Sequence, residues 1–321
     1  FPPNVIQPVG YDYALDLGEG RPLTRYLGVS MLPVEPLYFE AFEGPAHIPY
    51  EQAFDKVVFR QSVDPQAPYL LVDGLSNGGH LHYDGNAILR YTDKGRIWFE
   101  DADYMKAPTK FHNSLLVFRD GKGALIPPYM EFGEATWLAP LGYSRSTARG
   151  YAGTDWTRHV LQVADRFFFV MDEVVAVEPG EYHLRCLWRG VGDATLDAEA
   201  RSFTIDQDGP QMELRAAPGH AAPAELAYKE EPMIWGSWEH YPYHGATADT
   251  RVLQERATCR MAAGDRYVFL NLFGTNGPYP PLERLGEGLV RLAGTNTLAG
   301  SGRGLAAAAP VRTDAAFFYS D

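Results

Sequence analysis

The chain has 321 residues, 45% of them hydrophobic and 13% aromatic, enough for a packed core in one large or two medium domains. Asp and Glu number 41 against 28 Lys and Arg, giving a formal net charge of −13. That balance argues against nucleic acid as a partner, which needs clustered Lys and Arg, but it leaves room for a local basic patch facing an anionic sugar.

No apolar run approaches the ~20 residues of a membrane span. The longest candidate, "RFFFVMDEVVAV" (166–177), is interrupted by acids. Residue 1 is Phe, with neither an initiator Met nor a signal sequence, so the start reads as processed or cut from something longer. Cys186 and Cys259 are the two cysteines. They make no disulfide framework and stand as one bridge or two buried thiols, the latter favoured.

Residues 1–53 are Pro-rich and irregular ("FPPNVIQPVG", "SMLPVEPLYF"), with one helix-like piece in "GRPLTRYLGVSML". They read as a junction. From residue 54 the texture changes to short β-branched or aromatic runs separated by turn residues: "DKVVFRQ", "PYLLVDGL", "HLHYDGNAILRYT", "GRIWFEDADY", "HNSLLVFRD", "TRHVLQVAD" and "EYHLRCLWRG" among them. Dipeptides "DG" (73–74, 84–85, 120–121, 208–209), "DKG" (93–95) and "PG" (179–180) mark expected hairpin corners. In "EYHLRCLW", Tyr182, Leu184, Cys186 and Trp188 fall on one face of a strand. Weak helical periodicity occurs near 221–231 and 281–292, and the Ala/Gly-rich tail after residue 291 reads as loop or poorly ordered chain. The expected class is all-β, a large antiparallel two-sheet β-sandwich with little helix, spanning 54–321.

One stretch carries chemistry. In "SNGGHLHYD" (76–84), an extended backbone would put His80, His82 and Asp84 in one polar row, with Leu81 and Tyr83 facing away. A tight "TDKG" hairpin and the next strand bring Asp101 and Asp103 back toward that row, and "FHNSLLV" adds His112. Two imidazoles and a carboxylate on a rigid sheet suit Zn²⁺, and His82, Asp101 and His112 are the candidate ligands. The plain alternative is a wet strand face. Of the remaining groups, Arg145, Arg149 and Arg158 could meet an anionic polymer, and "WGSWEHYPYHGAT" (235–247) could stack on sugar rings through Tyr241 with His244 beside it. His159 and His183 read as structural, and Asn113 as a group that holds a ligand ring or a turn.

"NGGHLHYDGNAILRYTDKGRIWFEDADYMKAPTKFHNSLLV" resembles the start of the β-sandwich domain of heparinase II/III-like polysaccharide lyases, with Ser114 where the family's His-Asn-Thr-like segment has Thr. "TRHVLQVADRFFFVMDEVVAVEPGEYHLRCLWRG" is more loosely similar. The resemblance implies a super-sandwich in which His80 faces the saccharide cleft and does chemistry, while His82, Asp101 and His112 hold a mainly structural Zn²⁺. The choice of Asp101 over Asp103 stays open, because Ala102 and Asp103 depart from the family's Asp-Pro-Gly-like ending. It also implies an N-terminal (α/α) toroid, which this nearly helix-free chain does not contain. The expected function is therefore the sandwich portion of a lyase acting by β-elimination on a uronic-acid polysaccharide, such as a glycosaminoglycan or alginate. The expected location is periplasmic or secreted. Arg145, Tyr241 and His244 are the candidate substrate contacts. The competing expectation is a non-catalytic carbohydrate-binding or structural module with a structural metal.

Overall fold

The computed structural model describes residues 27–34, 39, 48–76, 82–101, 106–232, 249–301 and 317–321. The strands are antiparallel, run from two residues to the 13 of Asp249–Met261, and are arranged in three sheets. The first sheet runs in the order β1 (Gly28–Pro33), β2 (Phe54–Arg60), β3 (Tyr69–Asp73), β4 (Ile88–Asp93), β5 (Arg96–Glu100), β12 (Gly180–Val191), β17 (Asp249–Met261) and β16 (Glu225–Pro232). Beside β12 lies β6 (Leu115–Arg119), which carries the two-residue β7 (Lys122–Gly123).

The second sheet runs β13 (Asp193–Asp197), β14 (Ser202–Asp206), β15 (Gln211–Ala216), β18 (Arg266–Gly274), β11 (Phe167–Ala176), β10 (Thr154–Val163), β9 (Leu141–Tyr151) and β8 (Glu131–Leu138). A third, small sheet holds β19 (Leu282–Gly286), β20 (Leu289–Leu292), β21 (Leu298–Gly300) and β22 (Phe318–Ser320).

Alternation places the core. Tyr182, Leu184, Cys186 and Trp188 of β12 are all fully buried, while Arg185 between them is exposed. They belong to one core cluster with Phe168 and Phe273 of the second sheet, whose rings stack at 5.6 Å; the Trp188 ring lies 5.6 Å from Phe273, in an aromatic layer that also takes in Phe59, Tyr91 and Phe99. On the far face of the second sheet, Leu161, Phe169, Met171, Leu270 and Leu272 pack against Leu282, Val290 and Leu292 of the small sheet. Both faces of β11 are thus covered, which is why "FFFVM" is an unbroken apolar run rather than an alternating one.

Turn chemistry closes some of the expected corners and not others. Lys94 and Gly95 (φ 54° and 68°) join β4 to β5, Asp120 and Gly121 (51° and 76°) join β6 to β7, and Asp208 and Gly209 (56° and 109°) join β14 to β15. Left-handed φ at both central residues matches the right-handed twist of the flanking strands. Residues 73–74 and 84–85 instead bound the long β3–β4 connection, and 179–180 carries the chain from the second sheet to the first. Gly74 is needed there for another reason. A Cβ at this position would lie 2.3 Å from the Phe54 carbonyl oxygen.

Three readings of the sequence are corrected. Residues 28–33, placed in a helix-like piece of an irregular junction, form β1 and pair with β2 inside the first sheet. The helical candidates near 221–231 and 281–292 are β16 and the β19–β20 hairpin, because pairing to β17 and burial of Leu282, Leu289, Val290 and Leu292 override weak periodicity. Part of the Ala/Gly-rich tail is the strand β21. Both cysteines are free, Cys186 buried and Cys259 half-buried. Among the described residues, no helix is long and apolar enough to cross a membrane.

Candidate metal centre

Two loops at one edge of the sandwich interior supply the candidate ligands. The first connects β3 to β4 and carries His82 and Asp84. Residues 82–84 there belong to no strand, so the described part of the expected histidine strand is loop. The Gly85 amide donates to Ser76 Oγ at 2.7 Å, and a Cβ at residue 85 would sit 2.3 Å from that oxygen, which accounts for the "DG" step. The second loop leaves β5 at Asp101 and passes through a 3₁₀ turn at Thr109–Phe111. It delivers His112 just before β6. The Tyr83 amide donates to the Ala107 carbonyl at 2.9 Å and ties the two loops together.

His82 and His112 face one another with ring centroids 5.8 Å apart and planes tilted by 50°. One ligand atom each from His82, Asp84 and His112 lies within 4.8 Å of the others. His112 is fully buried; its Nδ1 is 2.7 Å from Asp101 Oδ1 and its Nε2 is 3.1 Å from the Ala107 carbonyl. With Nδ1–H donated to Asp101, Nε2 is the nitrogen left to meet a cation in exchange for Ala107. Asp101, expected as a ligand, is hydrogen-bonded to His112 Nδ1, and the carboxylate that groups with the two histidines within 4.8 Å is Asp84. The sequence had already placed Asp84 in the histidine row. What it lacked was the distance.

The electrostatics fit a cation. Burial, together with the nearby charges of Asp73 and Asp101, pushes the Asp84 carboxyl up to about 8. Asp84 Oδ1 is buried with no hydrogen-bond partner among the described residues. Burial pulls the His112 imidazole down, but the charge and hydrogen bond of Asp101, with Asp84 and the Ala107 carbonyl, outweigh it and raise the group to about 9. Without a cation, Asp84 and His112 therefore each hold a proton at neutral pH, and Asp73 is paired with Lys56 at 2.9 Å; a bound cation would take the place of those protons. Two imidazoles, an orphaned buried carboxylate oxygen and a carboxylate hydrogen-bonded to one ring match the donor set that Zn²⁺ takes in proteins.

The other candidate residues fall elsewhere. His80, Asp103, Tyr241 and His244 lie outside the described residues. Arg145 pairs in register with His159 and shares its sheet face with Tyr143, whose ring stacks on Phe317. It lines two surface hollows of about 260 and 300 Å³ on the outer face of the second sheet. Arg158, one residue along β10, points to the opposite, interior face, so the second sheet lies between Arg145 and the histidines. Arg149 is held by Glu131 and Asp155. Arg158 is fully buried and meets no polymer. The charge of Asp172 inside the apolar "FFFVMDEVV" run was the signal for its partner.

No protein-family model matches the chain, and no curated protein matches it in sequence. Solved structures do match in fold. Heparan sulfate lyase HepC from Pedobacter heparinus superposes with a TM-score of 0.58 at 16% identity, over 78% of this chain and 40% of that one. A heparinase III gives 0.58 at 13% identity over 78% and 40%, and a second heparinase III gene product gives 0.56 at 15% over 83% and 40%. The chain shares its fold with heparinase III structures. It spans well under half the length of these three neighbours, so the likeness covers their sandwich-sized share and not the whole of them.

Proposed function

We propose that the chain is the β-sandwich portion of a polysaccharide lyase that cleaves a uronic-acid-containing polysaccharide by β-elimination, completed in the intact protein by a helical toroid domain. The observation that carries this reading is the convergence of His82, Asp84 and His112, backed by Asp101, on a fold shared with a heparan sulfate lyase. In the proposal His82, Asp84 and His112 hold Zn²⁺ and Asp101 orients the His112 ring. The ion supplies rigidity, cross-linking the two loops so that the segment ahead of His82 is presented in one position.

β-Elimination removes the weakly acidic C5 proton of a uronate and expels O4. The uronate carboxylate must be neutralised, a base must take the proton, and an acid must protonate the leaving oxygen. His80 is assigned as base or carboxylate neutraliser, since a near-neutral imidazole can fill either part. The partner acid and the remaining carboxylate contacts belong to the toroid. An extended acidic polymer as substrate accords with a periplasmic or secreted location.

The test is the absorbance of the unsaturated product, measured with uronate polymers on the intact lyase and on the 321-residue chain alone. His80→Ala should abolish product formation by the intact enzyme with zinc content and melting temperature unchanged, and the isolated chain should show little or no turnover. A His80→Ala change that only lowers the melting temperature would instead favour the non-catalytic module.

A further inference from the structure

Arg158 and Asp172 are register partners on β10 and β11, and both side chains are fully buried between the sheets. The pair is bidentate: Nε donates to Asp172 Oδ1 at 2.7 Å and Nη2 to Asp172 Oδ2 at 3.0 Å. Trp156 Nε1 donates to the same carboxylate at 2.8 Å, and the guanidinium lies 5.0 and 5.8 Å from the Trp156 and Trp188 ring centroids. The remaining terminal nitrogen, Nη1, leaves the second sheet altogether. It donates to two backbone carbonyls, Asn86 at 2.8 Å and Asn113 at 2.9 Å.

Those two carbonyls belong to the two candidate ligand loops. Asn86 lies two residues after Asp84, and Asn113 directly follows His112. Each is anchored further. Asn86, at φ 64°, accepts from Ser146 Oγ at 2.5 Å, and Asn113 Nδ2 donates to the Ile88 and Glu100 carbonyls at 2.9 and 3.2 Å. The Ile88 amide donates to the Asn113 carbonyl that Arg158 also reaches.

We propose that the Arg158–Asp172 pair is a positioning clamp that sets the separation of the His82–Asp84 loop from the His112 loop, and with it the affinity of the cluster for a divalent cation. The part about affinity rests on the metal reading above. Core packing alone does not account for the pair, because apolar residues of similar volume fill such a space at lower desolvation cost. A planar fork whose one edge is fixed on Asp172 holds its Nη1 protons in a fixed plane, so both carbonyls are located relative to one rigid group. A lysine ammonium at residue 158 would keep the charge and lose that geometry.

The experiment uses the 321-residue chain with Arg158→Lys and Asp172→Asn, and Val170→Ala as a control that removes buried volume from the same strand. Zinc affinity is read by chelator competition, and amide hydrogen exchange is followed at 82–87 and 112–114 against β10 and β11. The clamp variants should lose about tenfold or more in zinc affinity, the loss typical when a group supporting a metal ligand is removed. Exchange should rise selectively in the two loops, and the control should show neither effect at a comparable fall in melting temperature. Selective loosening of the loops in a chain whose wild type binds no zinc would keep the clamp and remove the metal reading. Tight zinc binding unchanged in both variants, with exchange rising uniformly or not at all, would overturn the clamp.

Discussion

Asp101 Oδ1 sits 2.7 Å from His112 Nδ1, while Asp84, whose buried Oδ1 has no hydrogen-bond partner among the described residues, offers a carboxylate oxygen within 4.8 Å of a ligand nitrogen of both His112 and His82. In the proposed centre Asp101 orients the ring and Asp84 is the ligand. The two should respond differently to loss of charge. Asp84→Asn should abolish tight zinc binding, whereas Asp101→Asn should weaken it by about 10–100-fold. Isothermal titration with zinc checks this, and the reverse order would restore Asp101 as the ligand.

Zinc affinity should climb with pH through and beyond neutrality. A ligand must shed its proton to bind a metal, and Asp84 and His112 are raised to about 8 and about 9. At pH 6 zinc must displace protons from both groups, and above pH 9 from neither. The number of protons released per zinc, measured in buffers of different ionisation enthalpy, should fall over that interval. A flat profile would speak against the assignment of these two ligands.

Stability should fall as pH rises through the range of Glu255. This carboxyl lies in the sandwich interior on β17 and accepts from Trp188 Nε1 at 3.3 Å. Burial pushes it from 4.5 up to about 7, with Arg201 only partly opposing. Between those values the folded state holds a proton that the unfolded chain has released, so each step up in pH favours unfolding until about pH 7. The total is on the order of 3 kcal/mol. Denaturant midpoints should show the decline in the wild type, and Glu255→Gln should flatten it.

Gly74→Ala should destabilise the fold by about 2 kcal/mol, because the added Cβ meets the backbone carbonyl of Phe54, which cannot rotate away. The strain falls where β3 hands over to the ligand loop, so zinc affinity should drop with it. Urea denaturation and chelator competition on the same protein measure both.

Arg145→Ala should leave zinc affinity and melting temperature nearly unchanged. The side chain stands on the outer face of the second sheet, beside surface hollows and away from the interior that Arg158 occupies. A large loss of zinc affinity would mean that the two sheet faces communicate.

Much of this protein was legible locally. Alternation in "EYHLRCLW" and turn pairs such as Lys94–Gly95 depend on a few neighbouring residues, so they declare strands, hairpins and an all-β sandwich without reference to anything distant. The histidines and acids of the candidate centre were likewise visible as residue types. What the tertiary structure decided was which of them meet. Asp84 or Asp101 grouped with the two histidines, Arg145 outside and Arg158 inside, and 28–33 as a strand rather than a junction all turn on register and on loops from distant positions packing together. A shift of one residue in β10 would exchange the faces of Arg158 and His159, and no local pattern in the chain encodes that choice.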